Sequence, residues 1–313
     1  VDDGMLTRVQ GSGTFVNPDS VKRASRSIGV IVDRSEDHST SRFFQSNSTV
    51  EMLSGINDAL LKANYTPGFL MYDREAEHLD DEVLGNVEHD GFIDCGNTIS
   101  PALSEDFQSK DSRVVAIRMS YLIADYDYPF PLIVNDINAG IKQALKHYLA
   151  EGLTQFGFLG IAETGLRGYR LFQELFQEMN CGFDPSAVII YPEDPKQTAN
   201  VFADGAAYVE RMIASCQIQP DVFFSDSESL VDNLLGLRQK HAPSTDRGSR
   251  FCSIGNPSDR KPFSSPVIDY VAPAYYDAGR KAVELLIQPQ AKRGKADRHS
   301  RVPGLFLPNK KPV

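Results

Sequence analysis

Tryptophan is missing altogether from this chain of 313 residues, although 18 Phe and 12 Tyr leave no shortage of aromatic bulk for a core. No apolar run approaches the roughly 18 residues that a membrane-spanning helix needs, which excludes a helical membrane protein. The first residues, VDDGMLTRVQ, hold no apolar segment of the kind a secretory signal carries. Cysteine is sparse: Cys95, Cys181, Cys216 and Cys252 stand far apart with no CxxC pair, so they read as reduced thiols of a cytosolic protein rather than a disulfide framework. Positive charge is also short. With a net charge of −10 the chain lacks the electrostatic footprint of a nucleic-acid-binding body, so any DNA contact must come from another segment. There is no GxSxG elbow, no GxxxxGK[ST] loop and no HExxH. The 6 histidines are scattered, and none lies three or four residues from another. These absences point away from an enzyme and from a bound metal or cofactor. His147 falls on the polar side of an amphipathic segment, and Asp80-Asp81-Glu82 reads as a solvated face.

What is present is a chain long enough for two lobes of ordinary size, 41% hydrophobic, organised about a central stretch from Leu132 to Gly160. Leu132–Val134 reads as a strand. Ile137, Ile141, Ala144/Leu145 and Tyr148/Leu149 recur at helical period, Gly152 suits a left-handed cap, and Phe156–Gly160 is a short buried strand. This βαβ unit is expected to open the second lobe. Before it, strands are predicted at Ser27–Asp33, Phe69–Tyr72, Gly91–Cys95 and Val114–Arg118. A helix is predicted from the capping box Ser48-x-x-Glu51 to about Asn64, and a short acidic helix over Arg74–Leu84. After it, helices are predicted at Arg167–Met179, Ala203–Ser215, Leu230–Lys240 and Tyr276–Ile287. The strands predicted there are Val188–Tyr191, Val222–Phe224, Phe251–Gly255, Val267–Val271 and Leu305–Leu307. The cluster Lys292, Arg293, Lys295, Arg298 and Arg301 reads as a solvated loop, with a DNA- or anion-binding patch as the lesser reading. Strands alternating with helices give an α/β protein: two similar lobes, each a parallel sheet flanked by helices.

Residues 1–16 read as a β-hairpin, Leu6–Val9 with Thr14–Val16 around Gly11-Ser12-Gly13. A phosphate loop is disfavoured, because Val16 stands where a third glycine belongs and no helix comes after it. The segment GMLTRVQGSGTFV resembles the wing that closes the winged helix-turn-helix of GntR-family regulators, with Gly4-Met5-Leu6 as the turn before it. The resemblance implies that Arg8, Gly11 and Gly13 belong to a DNA-binding wing. It also implies that the recognition helix precedes Val1, in an N-terminal domain largely missing from this chain. Residues 17–26 read as a polar linker.

From Ser27 onward the chain resembles the effector-binding core of the LacI/GalR family, which is related to periplasmic sugar-binding proteins. The stretches that carry the resemblance are SIGVIVD, EHDGFID, VNDINAGIKQALKHYLAEGLTQFGFLG, PDVFFSDSESLVDNLLGLRQKH and PVIDYVAPAYYDAGRKAVELLI, in family order. A GntR-type wing on a LacI-type core is similar in build to arabinose-repressor-type regulators. The resemblance implies three crossings between lobes, a periplasmic-binding-protein-like type I fold and a cytoplasmic homodimer. It implies lobe 1 at 27–131 with a return segment near 269–300, and lobe 2 at 132–268 with the C-terminal segment 301–313. It implies no membrane association, a small sugar-like effector in the interlobe cleft and operator DNA as partner, hence a ligand-responsive regulator, a repressor, and no enzyme.

The expected cleft residues lie just after strand ends: Arg34, Asn97, Arg118, Asp226 and Asn256, with Ser227 and Arg167 as further candidates. The chain departs from the family here. Gly165 stands where the family commonly has Arg, three residues before Gly168-Tyr169, and Arg167 or Arg170 is a candidate substitute. The family's Asn-Asp pair falls on Ser225-Asp226 or on Asp226-Ser227. Gly255-Asn256-Pro257 lacks the family's Asp, and Arg118-Met119 replaces an Asp-Arg pair. These departures allow two readings: an effector unlike the usual monosaccharide, or altered or lost binding. A solute-binding protein for a transporter is the alternative function.

Overall fold

The computed structural model describes residues 6–9, 13–16, 26–33, 47–73, 78–79, 89–95, 104–105, 107–108, 112–118, 129–192, 201–215, 219–241, 249–255, 268–288 and 299–308. Strands β1 (Leu6–Val9) and β2 (Gly13–Val16) pair antiparallel, Leu6 opposite Val16, as the hairpin expectation requires. The remaining described elements fall into two compact units.

The first unit is a seven-stranded sheet. Its strands are β3 (Ser27–Asp33), β4 (Thr66–Asp73), β5 (His78–Leu79), β6 (Phe92–Cys95), β7 (Val114–Arg118), β8 (Leu132–Asp136) and β14 (His299–Pro303), in the order β14-β8-β7-β6-β3-β4-β5. β3, β4, β6, β7 and β8 run parallel, and β5 joins β4 antiparallel. A parallel sheet needs cover on both faces. Helix α1 (Asn47–Lys62), with α6 (Tyr275–Ile287), supplies it on one side, burying Val30, Val32, Val115, Ile117 and Ile133 beneath Met52, Ile56, Val283 and Leu286. On the other side Phe92, Phe107 and Phe130 pack with Ile31, Leu70, Tyr72 and Val114. The two helices approach to backbone contact. A Cβ added at Gly55 would lie 2.0 Å from the Tyr276 carbonyl oxygen, and one at Gly279 2.2 Å from that of Met52. The Arg113 guanidinium donates to the carbonyls of Leu286 and Gln288, placing a positive charge on the carboxyl end of α6.

The second unit is a six-stranded sheet. Its strands are β9 (Phe156–Ile161), β10 (Phe183–Tyr191), β11 (Val222–Ser225), β12 (Arg250–Ile254), β13 (Ile268–Ala272) and β15 (Leu305–Leu307), in the order β10-β9-β11-β12-β13-β15. All are parallel except β15, which runs antiparallel to β13. Helices α4 (Val201–Ser215) and α5 (Glu228–His241) cover one face, over Leu159, Ile189, Phe223 and Phe251. Helices α2 (Ile137–Ala150) and α3 (Ala162–Glu178) cover the other with an aromatic cluster of Tyr148, Phe156, Phe158, Phe172, Phe176 and Phe224. α2 buries Ile137, Ile141, Ala144, Leu145 and Tyr148, the stripe its period predicts, and Gly152 takes φ +80 just after it. One carboxylate is buried outright in this core. Asp269 accepts hydrogen bonds from Tyr148 Oη at 2.7 Å and Arg250 Nη2 at 3.0 Å, while Arg250 also pairs with Glu151 and lies over the Tyr148 ring. Charge and hydrogen bonds together offset the cost of burying that group.

Several expected boundaries move. The strand predicted at Leu132–Val134 was expected to open the second lobe. Ala116 pairs with Leu132 and Arg118 with Val134, so β8 belongs to the first sheet, and among the described residues the units part between Asn135 and Asp136. The return segment was expected from residue 269, but β13 stays in the second sheet and the passage falls between Ala274 and Tyr275. The last passage, expected near 301, falls between Val302 and Pro303, because Arg301 lies in β14 and not in a solvated loop. The acidic helix expected over 74–84 is replaced at His78–Leu79 by a strand on β4, and the rest of that segment is outside the described residues. α1 begins at Asn47, one residue ahead of the expected Ser48 cap.

Candidate functional site

Parallel α/β sheets place ligand-binding groups at the carboxyl ends of their strands, where loops and helix starts converge. In the first unit three polar side chains are buried there, the first being Asp94, next to the end of β6 at 0% exposure. Arg118 ends β7 at 6% exposure, and Asn135 lies near the end of β8 at 3%. Arg118 is paired with Val134, so alternation along the strand puts Arg118 and Asn135 on opposite faces of the sheet. The Asn135 amide has no hydrogen-bond partner for either its nitrogen or its oxygen. A buried amide in that condition costs about 1–3 kcal/mol, which makes Asn135 a polar group awaiting a partner. Arg34 and Asn97 lie outside the described residues.

In the second unit the carboxyl end of β11 turns directly into α5, and the turn is closed by its own serines. Ser225 Oγ donates to the Ser227 carbonyl and accepts the Ser227 N–H, both at 3.1 Å. Ser227 Oγ accepts the Leu230 N–H at 3.3 Å, the position of a helix N-cap. Ser227, a candidate ligand contact by sequence, is thus engaged in starting α5. Asp226 between them is not. Both its carboxylate oxygens are sealed from solvent with no hydrogen-bond partner, and burial pushes its pKa up to about 7. The carboxyl group is pressed against β9 and α3. A Cβ at Gly160 would lie 3.3 Å from Oδ1, and one at Gly168 2.9 Å from Oδ2. Gly165 in turn packs on Gly160, where an added Cβ would lie 2.8 Å from the Gly160 carbonyl carbon. At the neighbouring strand end the Glu228 carboxylate stands over Gly255, 2.9 Å from where a Cβ would be.

Arg167 lies in α3, whose Gly165, Gly168, Phe172 and Leu175 are buried. Asn256 and Gly11 are outside the described residues, while Arg8 and Gly13 take their places in the β1–β2 hairpin, opposite Thr14 and Val9. Of the expected residues, then, Arg118 is buried at a strand end of the first unit, and the half-buried Asp226 holds its carboxyl oxygens out of solvent at a strand end of the second. Asn135 was not among the sequence candidates. Its only signal was its place between a buried strand and Asp136 at the start of α2. Among the described residues no group of three or more His, Cys, Asp or Glu side chains could hold a metal ion, and no helix is long and apolar enough to cross a membrane.

Two α/β units, each built on a largely parallel sheet and joined by three chain passages among the described residues, have the periplasmic-binding-protein-like architecture found in the cores of LacI-family regulators. A LacI-family regulatory protein from Chloroflexus aggregans superposes with a TM-score of 0.66 at 14% identity, covering 90% of this chain and 97% of that one. The trehalose repressor from Escherichia coli gives 0.61 at 18%, covering 90% and 100%. The transcriptional regulator CelR in complex with cellobiose gives 0.64 at 12%, covering 94% and 91%. At these identities the likeness is one of fold. No family model and no curated protein matches the chain.

Proposed function

We propose that this chain is the effector-sensing and dimerising core of a ligand-responsive transcriptional regulator acting as a repressor in the cytoplasm. The observation that carries the reading is the end-to-end fold likeness to regulators of the LacI family, which spans 90% of this chain and 97% of the Chloroflexus aggregans protein. The polar groups at strand ends, buried Arg118 and Asn135 in one unit and the half-buried Asp226 in the other, support a small-molecule site. A sugar-like effector is supported by the cellobiose complex among the similar structures. The β1–β2 hairpin supports the wing of a GntR-type head at the amino-terminal side, with operator DNA read by residues that precede it.

In this reading the effector works by differential affinity. A ligand that binds one arrangement of the units more tightly than another shifts their populations by that difference and no more. In a homodimer the two DNA-binding heads must match half-sites about one helical turn apart, so a change in the core alters operator affinity. The test is selection of genomic fragments by the full-length protein, followed by binding titrations with and without a panel of sugars and sugar derivatives. A sequence-specific complex that weakens or tightens with one ligand is expected. Absence of specific DNA binding under all of these conditions would sink the reading and favour a solute-binding role.

A further inference from the structure

At the amino end of the first sheet a half-buried imidazole stands at the point where the chain enters β3. His89 Nδ1 lies 2.9 Å from Ser27 Oγ, and Ser27 is the first residue of that strand. The main chain closes the same corner. The Asp90 N–H donates to the Ser27 carbonyl and the Thr66 N–H to the Arg26 carbonyl, both at 2.8 Å. The ring is confined between strands. A Cβ at Gly68 of β4 would lie 2.6 Å from its Cε1, and Phe92 of β6 meets it edge-on with 5.5 Å between centroids. Its far nitrogen, Nε2, is sealed from solvent and has no hydrogen-bond partner. His89 thus touches β3, β4 and β6 near their amino ends, and makes its one polar bond to Ser27.

We propose that His89 is a proton-sensitive clasp on the entry to the core: neutral, it fixes Ser27 at the head of β3, and protonated, it leaves its seat and loosens that entry. A neutral imidazole suits the seat. With its proton on Nδ1 it donates to Ser27 Oγ and presents only a lone pair at Nε2. An imidazolium carries an N–H on both nitrogens, and the second has no acceptor there. The strands packed on the ring bring Ser27, Gly68 and Phe92, none of them charged. Of the charged residues near this corner, Arg26 and Asp90 are exposed, and the Arg113 guanidinium is turned to the carboxyl end of α6. Loss of solvation outweighs the attraction of Asp90 and holds the His89 pKa below its ordinary 6.5. Above 6.5 the clasp is fully closed. As pH falls below that value, a released ring takes up a proton that the seated ring refuses, so opening becomes easier until the seated ring is itself protonated. Residues 17–26 link Ser27 to the β1–β2 hairpin, so the corner held by the clasp is where the chain coming from that hairpin joins the first sheet. The inference concerns the core alone and does not depend on the regulator reading.

The test follows two quantities in the whole chain. One is the titration of the His89 ring by nuclear magnetic resonance. The other is hydrogen exchange at the Thr66 and Asp90 amides, expressed as protection relative to the free chain at each pH. His89→Asn is the comparison, since its amide can bond to Ser27 but takes up no proton. In wild type, His89 is expected to titrate below 6.5. Protection of the two amides should fall several-fold between about pH 7.5 and pH 5.5, with a ceiling of about tenfold for a group that ionises at 6.5 once released. The variant should stay flat over that range, as should the amides of β9 and β11 in both proteins. A ring that titrates at 6.5 or above, or protection lost equally in wild type and variant, overturns the proposal. If the variant does not fold, wild type decides alone. Titration below 6.5 with protection lost at Thr66 and Asp90 but kept in β9 and β11 supports the clasp, and any other pattern overturns it.

Discussion

A carboxyl group that gives up water without gaining a donor is reluctant to ionise, and Asp226 is in that position at the end of β11. The consequence for stability has a definite sign. In the unfolded chain Asp226 ionises near its ordinary 3.8, and in the folded chain at about 7. Between those values the folded state holds a proton that the unfolded state has released. The contribution is therefore complete below pH 3.8, lost progressively as pH rises through 7, and flat above. Asp226→Asn removes this slope without changing shape. Urea unfolding of both proteins should show the variant gaining on wild type by roughly 2–4 kcal/mol between about pH 4 and pH 8. Parallel profiles would show that Asp226 finds a donor in solution. At this scale the sequence was only partly legible. Asp226 was located by its place after a strand. Ser227 could not be separated from it, because a ligand contact and a helix N-cap want the same small hydroxyl residue. Asn135 passed unnoticed, since nothing in a sequence tells a satisfied amide from an unsatisfied one.

Between elements, the closest approach is that of α1 and α6, where Gly55 meets Tyr276 and Gly279 meets Met52 through backbone atoms. Nothing flexible can yield at either point, because the neighbours are main-chain carbonyls. Gly279→Ala must push the helices apart and loosen Met52, Ile56 and Val283 over the sheet. A loss of about 1–3 kcal/mol is expected, although alanine has the better helix propensity. Equilibrium denaturation of the variant measures it, and a neutral or stabilising result would mean that the helices pass farther apart than the structure places them. Periodicity found both helices but not their contact. The start of α3 was also missed: it was expected from Arg167 and begins at Ala162. Gly165 looks like a break in a helix, yet here it is what lets the helix lie against β9. β14 was hidden for another reason: HSRVP has too few apolar residues to alternate visibly, and an edge strand paired only with β8 needs few.

At the scale of the whole chain, the two α/β units and their three exchanges were legible, while the exchange points were not. Hydrophobic runs identify strands but not their partners, so β8 and β13 were each assigned to the wrong sheet by a few residues. That the units exchange segments has a testable consequence for folding. The first unit depends on α6 and β14, which the chain supplies only after completing most of the second. A chain ending at Ala274 therefore lacks one of the two helices over Val30, Val115 and Ile117 and leaves Met52 and Ile56 facing water. The second unit loses only β15, an edge strand of three residues. Buried apolar surface contributes about 25 cal/mol per Å², so uncovering a sheet face outweighs losing an edge. Hydrogen exchange on the truncated chain should find amides of β3, β6 and β7 unprotected and those of β9, β11 and β12 still protected. Protection retained in β3 and β7 would mean that the first unit closes its core without α6, and the dependence of the early half of the chain on the late one would be refuted.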